Sequence, residues 1–229
     1  MKCWVIVPVK RLSAAKSRLA PILTLRQRRE LVCALLAHTL IRLEGIPGIR
    51  GKIVVGRDRA VRRIAAQHGA LFLAEKPRDG LNRALARAAR EAVRRGAEAV
   101  MVLPADLPRL RKSEIVGLLR RAGKPPFLGI SPDRLEQGTN VLLLAPPGLI
   151  RFSFGERSYR RHIAAARRAG ASVMEYRRAS LADDLDCPED VVRLCGEEEK
   201  NPRGKQRELR GRPGSQNKDL LSRTSFFVH

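Results

Sequence analysis

Short apolar runs alternate with longer amphipathic segments along most of this chain. The runs are four to seven residues long and rich in Val and Ile, which predicts buried strands rather than helices. They lie at Cys3–Val9, Lys52–Gly56, Leu71–Ala74, Ala99–Leu103, Phe127–Ile130, Asn140–Leu144 and Ser172–Tyr176. Most of the intervals between them are long enough to hold a helix.

Helical patterns fill most of these intervals. They are predicted at Leu25–Leu43, Val61–His68, Leu81–Arg95, Glu114–Arg121 and Tyr159–Ala169. A glycine follows shortly after each of the last four, as expected where helices stop. Strands that alternate with helices predict an α/β fold of βαβ units, with a mainly parallel sheet covered on both faces.

The length of 229 residues fits one domain, and a hydrophobic fraction of 44% is enough for a core. We place the domain at residues 1–197 and predict that the polar stretch 198–229 is a disordered basic tail. The sequence contains no run typical of a membrane span or signal peptide, and its four cysteines form no Cys-x-x-Cys pair. We therefore expect a cytoplasmic protein with reduced thiols.

The formal net charge of +23 predicts an anionic partner, which is a nucleic acid, a membrane surface or a phosphorylated small molecule. Arginine is spread along the whole chain rather than gathered in an arm. Aromatic residues make up only 4%, so side chains that stack on bases are scarce. The charge by itself does not choose between these partners.

The segment Leu103–Pro108 carries the clearest chemical signal. It sets Asp106 between two prolines, directly after a predicted buried strand. Ligands of open α/β sheets bind outside the carboxyl ends of the strands, and a carboxylate there suits a hard cation such as Mg²⁺. The alternative is that Asp106 caps the following helix or lies solvated in a loop.

Two further segments present groups that suit a nucleotide. The basic loop after the first predicted strand contains Lys10, Lys16 and Arg18, which are able to surround a polyphosphate. It lacks the glycines of a P-loop, so an ordinary basic surface loop is the alternative. Asn82, near a helix start, offers a paired donor and acceptor for a base edge, or else helps to cap that helix.

The second half of the chain adds two polar clusters. Ser158 begins a helix, where its hydroxyl and the backbone donors suit a phosphate or carboxylate; the alternative is ordinary N-cap chemistry. We interpret His162, in the same helix, as structural or surface-exposed. Residues 183–190 hold five acids, and such dense negative charge favours a cation. Helix initiation explains Glu189 and Asp190, and explains Asp184 and Asp186 less well.

Taken in series, these segments resemble the guanylyltransferases of deazaflavin coenzyme F-420 biosynthesis, which act on 2-phospho-L-lactate or phosphoenolpyruvate. Each motif is weak alone, but seven in the same order make a specific match that spans about residues 3–195. The matching segments are residues 7–10, 15–19, 80–82, 103–108, 138–140, 154–162 and 184–190.

The resemblance implies a glycosyltransferase-A-like nucleotidyltransferase fold with a mixed, mostly parallel sheet. It implies that Asp106 and Asp186 hold Mg²⁺, and it leaves open whether Asp184 also contacts the metal. The remaining roles that it implies are catalysis by Lys16, Arg18 and Asp106, binding of the acid by Thr139, Gly155 and Ser158, and nucleotide binding by Pro8, Lys10, Lys16, Arg18, Gly80 and Asn82. The usual threonine before Pro188 is Cys187 here, which puts a hydroxyl role at this position in doubt.

The activity implied is transfer of GMP from GTP to phosphoenolpyruvate or 2-phospho-L-lactate, with release of pyrophosphate. The partners are then GTP and a phosphorylated three-carbon acid, with no nucleic acid and no membrane, and a homodimer is compatible with the sequence. Two alternatives remain: another small-molecule nucleotidyltransferase, for example of the molybdopterin type, and a basic nucleic-acid-binding protein. The latter leaves the acidic residues 183–190 unexplained.

Overall fold

A seven-stranded mixed sheet forms the centre of the protein, with strands in the order β3-β2-β1-β4-β6-β5-β7. The computed structural model describes residues 1–76 and 79–199, with side chains as far as residue 194. The strands are β1 (Cys3–Pro8), β2 (Ile49–Gly56), β3 (Leu71–Ala74), β4 (Ala99–Val102), β5 (Phe127–Pro132), β6 (Thr139–Ala145) and β7 (Ser172–Glu175). All seven predicted strands are confirmed, with ends that shift by at most three residues.

The helices cover both faces of this sheet. They are α1 (Leu25–Arg42), α2 (Arg59–Gln67), α3 (Leu81–Arg94), α4 (Lys112–Arg120), α5 (Ser158–Arg168), α6 (Ala179–Ala182) and α7 (Pro188–Glu199). The five predicted helices are confirmed, as is the helix start at Pro188. The short helix α6 and a 3-10 turn at Ser17–Leu19 carry too few residues to show a periodic pattern.

Strand direction decides which loops meet at one edge of the sheet. Strands β1 to β4 run parallel to their neighbours among themselves, and β5 pairs parallel with β7. Strand β6 runs antiparallel to both β4 and β5, and the hairpin at residues 133–138 connects β5 to β6. The amino end of β6 therefore lies beside the carboxyl ends of β1 and β4, where ligands of such sheets bind.

The apolar core has three parts. One large cluster packs under α1, α2 and α4, and a second lies under α3 and α5 on the opposite face. A third, smaller cluster joins the 3-10 turn to α1 and α7 through Leu19, Leu35, Leu185 and Val191. Leu19 and Leu185 are fully buried, so each contributes about 2 kcal/mol to holding two distant loops together.

The predicted end of the domain at residue 197 falls within a helix. Helix α7 continues to Glu199, so regular structure crosses that boundary. The disordered tail predicted beyond it lies, from residue 200 onward, outside the described residues. Among the residues that are described, no helix is both long and apolar enough to cross a membrane.

Candidate active site

A cleft of about 480 Å³ lies at the edge of the sheet where β1 and β4 end and β6 begins. It gathers residues that are far apart in sequence. Those predicted as site residues that line it are Pro8, Lys10, Lys16, Asp106, Thr139, Asp184 and Asp186. Residues from sequence segments that lie far apart along the chain therefore line the same cleft.

The ammonium group of Lys16 lies between two carboxylates from opposite ends of the sequence. Its Nζ is 2.7 Å from Oδ2 of Asp106 and 2.7 Å from Oδ1 of Asp186. Burial alone lowers the pKa of Lys16, but the two carboxylates more than offset this and hold the pKa above its ordinary value. Asp106 and Asp186 thus converge on a single cation, as a shared metal site requires.

The backbone at Lys16 is held in an uncommon conformation. Its φ of 51° and ψ of 40° are left-handed, which costs a residue with a side chain roughly 1 kcal/mol. The surrounding contacts offset this cost. Arg28 of α1 donates to the Ala15 carbonyl at 3.2 Å, and Leu19 anchors the 3-10 turn that follows. The loop is therefore fixed so that the Lys16 side chain enters the cleft and is only 6% exposed.

Asp106 and the acidic loop are joined through the backbone as well. The Leu185 N–H donates to the Asp106 carbonyl at 3.1 Å. Because Leu185 is buried in the third apolar cluster, the carboxylate of the next residue, Asp186, is directed back toward the end of β4. Packing and one backbone hydrogen bond thus set the relative positions of Asp106 and Asp186.

The five acids of residues 183–190 separate into groups with different partners. Asp190 accepts from the backbone N–H groups of Asp186 and Cys187 at 2.9 Å each, and from Arg193 at 3.0 Å. Burial alone raises the pKa of Asp190, but these donors lower it to about 2. Arg193 also donates to Asp183. These two acids therefore stabilise the loop, as predicted for Asp190 at a helix start.

Cys187 takes part in the same cap. Its thiol donates to Oδ2 of Asp190 at 3.1 Å. A threonine hydroxyl at this position has the same donor capacity. The replacement of the usual threonine therefore leaves this part of the loop with a donor.

Asp184 lies near Asp106 and Asp186 and forms no ion pair with any Lys, Arg or His side chain that the structure describes. Burial first, and then the charges of Asp106 and Asp186, raise its pKa to about 6. Burial is the larger of these causes and the two neighbouring carboxylates add to it, so positive charge brought into the cleft would favour the ionised form of Asp184.

The donor set suits Mg²⁺ in a particular way. Within residues 1–76 and 79–199, no group of three or more His, Cys, Asp or Glu side chains is arranged so that it could hold a metal ion. Mg²⁺ in nucleotide sites is commonly held by only one or two carboxylates together with substrate phosphates. A pair such as Asp106 and Asp186, already converging on one cation, fits that mode.

A second wall of the cleft is neutral: Thr139 lines it, and His162 and Ser158 contact Thr139 without lining the cleft themselves. Nδ1 of His162 is 3.0 Å from Oγ1 of Thr139, and Nε2 accepts from the Ser153 N–H at 3.0 Å. The Ser158 hydroxyl donates to the same Thr139 oxygen at 3.2 Å. Burial, with a smaller contribution from Arg161, lowers the pKa of His162 to about 4, so the imidazole is neutral near pH 7.

The remaining predicted residues do not themselves line the cleft, although Leu81 and Phe154 beside them do. Gly155 has a φ of 122°, which favours glycine, and its carbonyl accepts from the Ser158 N–H at 3.1 Å. Arg18 and Gly80 are exposed. The Asn82 amide holds the backbone of Phe154, donating to its carbonyl at 3.1 Å and accepting from its N–H at 2.7 Å. A guanine contact by Asn82 stays a prediction, and it requires the amide to give up its hydrogen bonds to the Phe154 backbone.

Three supporting residues were not identified as functional from the sequence. Asp133 accepts from the Gln137 and Gly138 N–H groups at 2.9 and 2.7 Å and so shapes the hairpin before Thr139. Asn140 donates to the Leu181 carbonyl at 2.9 Å, and His162 contacts Thr139. The one available signal was spacing, since Ser158 and His162 are four residues apart and so share a helix face.

Comparisons with known proteins agree with this arrangement. The family model described as "Guanylyl transferase CofC like" matches residues 3–207. A phosphoenolpyruvate guanylyltransferase of Rubrobacter xylanophilus is 43% identical over 85% of this chain and 94% of its own. The enzyme of the same name from Sphaerobacter thermophilus is 42% identical over 83% of this chain and 91% of its own.

Solved structures share the fold at low sequence identity. A protein from Desulfovibrio desulfuricans, described as a nucleotide-diphospho-sugar transferase, superposes with a TM-score of 0.68 at 16% identity, over 99% of this chain and 96% of its own. A nucleotidyl transferase from Methanothermobacter gives 0.60 at 16% identity, over 87% and 99%. The predicted nucleotidyltransferase fold is confirmed, and the chain belongs to the CofC-like guanylyl transferase family.

Proposed function

We propose that this protein transfers GMP from GTP to phosphoenolpyruvate and releases pyrophosphate, as a step of coenzyme F-420 biosynthesis. The observation that carries the proposal is the cleft in which Asp106 and Asp186 converge on one cation and which the neutral Thr139 also lines. Such a cleft has one wall suited to a metal-bound polyphosphate and another suited to an acid. The names of the relatives favour phosphoenolpyruvate over 2-phospho-L-lactate as that acid.

In the proposed reaction, a phosphate oxygen of the acid forms a bond to the α-phosphorus of GTP. The bond from that phosphorus to the oxygen bridging toward the β-phosphorus breaks, and its electron pair leaves with pyrophosphate. The attacking oxygen is already anionic near neutral pH, so no strong general base is needed. The principal barrier is the repulsion between two polyanions, which favours positioning and charge compensation over proton transfer.

The side chains divide this work between them. Asp106 and Asp186 would hold Mg²⁺, which when bound supplies positive charge that offsets the repulsion between the substrates. Lys16, together with Lys10 and Arg18, supplies donors for the triphosphate. We propose that Thr139, with the Gly155–Ser158 turn, binds the acid.

A product assay tests this function directly. Purified protein is incubated with GTP, Mg²⁺ and either phosphoenolpyruvate or 2-phospho-L-lactate, and the product is measured by mass while pyrophosphate is counted. We expect a guanosine diphosphate-linked product from phosphoenolpyruvate, formed at least tenfold faster than from 2-phospho-L-lactate. Preference for another nucleotide, or no product with either acid, contradicts the proposal and favours a different small-molecule nucleotidyltransferase.

The setting of this reaction follows from the same proposal. We infer a cytoplasmic location, which the free thiols of Cys3, Cys33 and Cys187 fit, because disulfides are rare in that compartment. The partners are GTP and the acid, without nucleic acid or membrane. A homodimer stays a prediction, and light scattering on the purified protein measures it.

A further inference from the structure

A chain of hydrogen bonds runs from the Ser153 backbone through His162 to Thr139, and the Ser153 backbone sets which atoms donate. The Ser153 backbone N–H lies 3.0 Å from Nε2 of His162, and a backbone N–H is able only to donate. Nε2 must therefore be the unprotonated, accepting nitrogen. A neutral imidazole then carries its proton on Nδ1, which is 3.0 Å from Oγ1 of Thr139.

The Thr139 oxygen accepts twice when the Ser158 hydroxyl is the donor in the bond between the two hydroxyls. It receives one hydrogen bond from Nδ1–H of His162 and a second from the Ser158 hydroxyl at 3.2 Å. A hydroxyl oxygen has two lone pairs, so both are used. Its own proton is the one group left to form a further hydrogen bond, and Thr139 lines the cleft that also contains Asp106.

Burial keeps water from competing for the hydrogen bonds among His162, Ser158 and Thr139. His162 is 0% exposed, Ser158 1% and Thr139 8%. The His162 and Phe154 rings also pack edge to face, with centroids 5.0 Å apart, which restricts rotation of the imidazole. The lowered pKa of His162 is consistent with a neutral ring.

We propose that His162 is a positioning residue that makes Thr139 an obligate donor into the cleft, so that the acid-binding wall accepts an anionic oxygen there. The inference rests on the proposed function because it takes Thr139 to contact the phosphorylated acid substrate. It assigns His162 no proton-transfer step. The selected group is a carboxylate or phosphate oxygen, because either accepts the Thr139 proton and neither competes as a donor.

Nitrogen NMR of the imidazole tests the direction without any substrate. In ¹⁵N-labelled protein at pH 7 we expect the shifts of a neutral ring protonated at Nδ1. A ring protonated at Nε2, or a charged ring, overturns the proposal. Since this readout does not involve turnover, it stands or fails separately from the proposed guanylyltransferase activity.

Kinetics of matched variants test the consequence. His162→Phe keeps a ring but removes both hydrogen bonds, whereas His162→Asn retains a donor near the position of Nδ1. We expect His162→Phe to raise the KM for phosphoenolpyruvate at least tenfold with the KM for GTP within twofold, and His162→Asn to recover most of that loss. Equal rises in both KM values, or no recovery by Asn, overturn the proposal.

A double-mutant cycle covers the case in which His162→Phe folds poorly. Thr139→Val keeps the side-chain shape and removes the donor, so it should raise the KM for the acid by a similar factor. Adding His162→Leu, which has no donor, to Thr139→Val should then change that KM by less than twofold, because the donor that His162 orients is already gone, whereas His162→Leu alone should raise it at least tenfold. Fully additive effects contradict the assignment. His68→Phe, on the far side of the sheet from this wall, is the control that should leave both KM values unchanged.

Discussion

The two walls of the cleft hold their functional groups by different physical means. The cation wall, formed by Lys16, Asp106 and Asp186, consists of charged groups on loops, and its carboxylates are 29% and 39% exposed. The acid wall, formed by Thr139 and His162, consists of neutral groups on β6 and α5 that are at most 8% exposed. One wall depends on charge and the other on hydrogen-bond direction.

This difference matches what each wall is proposed to bind. Attraction between charges has little directional preference, so the carboxylates are able to exchange an ammonium for another cation when anionic phosphates arrive to bind Lys16. A buried chain of neutral hydrogen bonds has one favoured direction and does not rearrange without cost. The cation wall is suited to ligands that come and go, and the acid wall to selecting one kind of oxygen.

The largest expected effect tests whether the cation wall depends on its apolar support. Leu185→Ala removes a fully buried side chain that joins the acidic loop to the 3-10 turn after Lys16. We expect a loss of about 3 kcal/mol in the free energy of unfolding, measured by urea denaturation.

The exposed neighbour on α7 provides the control for this change. Val192 is 73% exposed, so Val192→Ala should change stability by less than about 0.5 kcal/mol. If Leu185→Ala is equally mild, the two loops do not depend on this cluster, and charge alone holds the cation wall together.

The next effect concerns charge at the end of β4. Asp106→Asn should lower turnover at least a hundredfold, which corresponds to about 2.7 kcal/mol, because it removes one of the two carboxylates that share a cation. Steady-state release of pyrophosphate measures it, and the melting temperature checks that the fold is retained. Glu98→Gln removes an equal charge at the other end of the same strand and should leave turnover unchanged. Near-normal activity of Asp106→Asn would remove this residue from the proposed metal site.

Much of the cation wall could be predicted from the sequence because it follows from parallel topology. Alternating strands and helices place the carboxyl ends of β1 and β4 together, and Asp106 directly follows β4. The contact of Lys16 with both carboxylates could not be predicted, since it depends on a left-handed backbone that no residue type at that position signals. The sequence motifs identified the loops that carry Lys16 and Asp106, whereas the direction of the Lys16 side chain depends on tertiary packing.

The acid wall was harder to predict because β6 runs against the parallel pattern. A parallel β6 would carry Thr139 to the opposite edge of the sheet, away from Asp106. The six-residue connection at 133–138 is too short for a helical crossover, and this is the local feature that indicates a hairpin. The role of His162 depends on the Ser153 N–H, a backbone group whose position no motif encodes.

The free energy of unfolding should depend on pH in opposite ways through His162 and through Asp184. The pKa of His162 is about 4 in the folded protein and close to 6.5 when unfolded, so the unfolded chain binds more protons as pH falls. The contribution of the neutral ring is complete above pH 6.5 and is lost as pH falls toward 4. Between pH 7 and 5 we expect wild type to lose about 2 kcal/mol more unfolding free energy than His162→Gln, measured by urea denaturation at each pH.

Asp184 has the opposite dependence, which makes it a useful comparison. Its pKa is raised to about 6 by burial and by Asp106 and Asp186, so the folded protein binds more protons than the unfolded chain as pH falls below this value. Asp184→Asn should therefore steepen the loss of stability on the acid side. Identical pH profiles for wild type and both variants would mean that burial does not distinguish the two walls.

The smallest effect tests the second donor to Thr139. Ser158→Ala removes one of the two hydrogen bonds that the Thr139 oxygen accepts, while His162 still occupies the other lone pair. The hydroxyl proton can then take more than one direction, so we expect the KM for phosphoenolpyruvate to rise about fivefold, near 1 kcal/mol, with the KM for GTP unchanged. Ser172→Ala, at the opposite edge of the sheet, is the matched control. An unchanged KM for the acid would mean that His162 alone fixes the Thr139 proton and that the helix start at Ser158 contributes no direction to the acid wall.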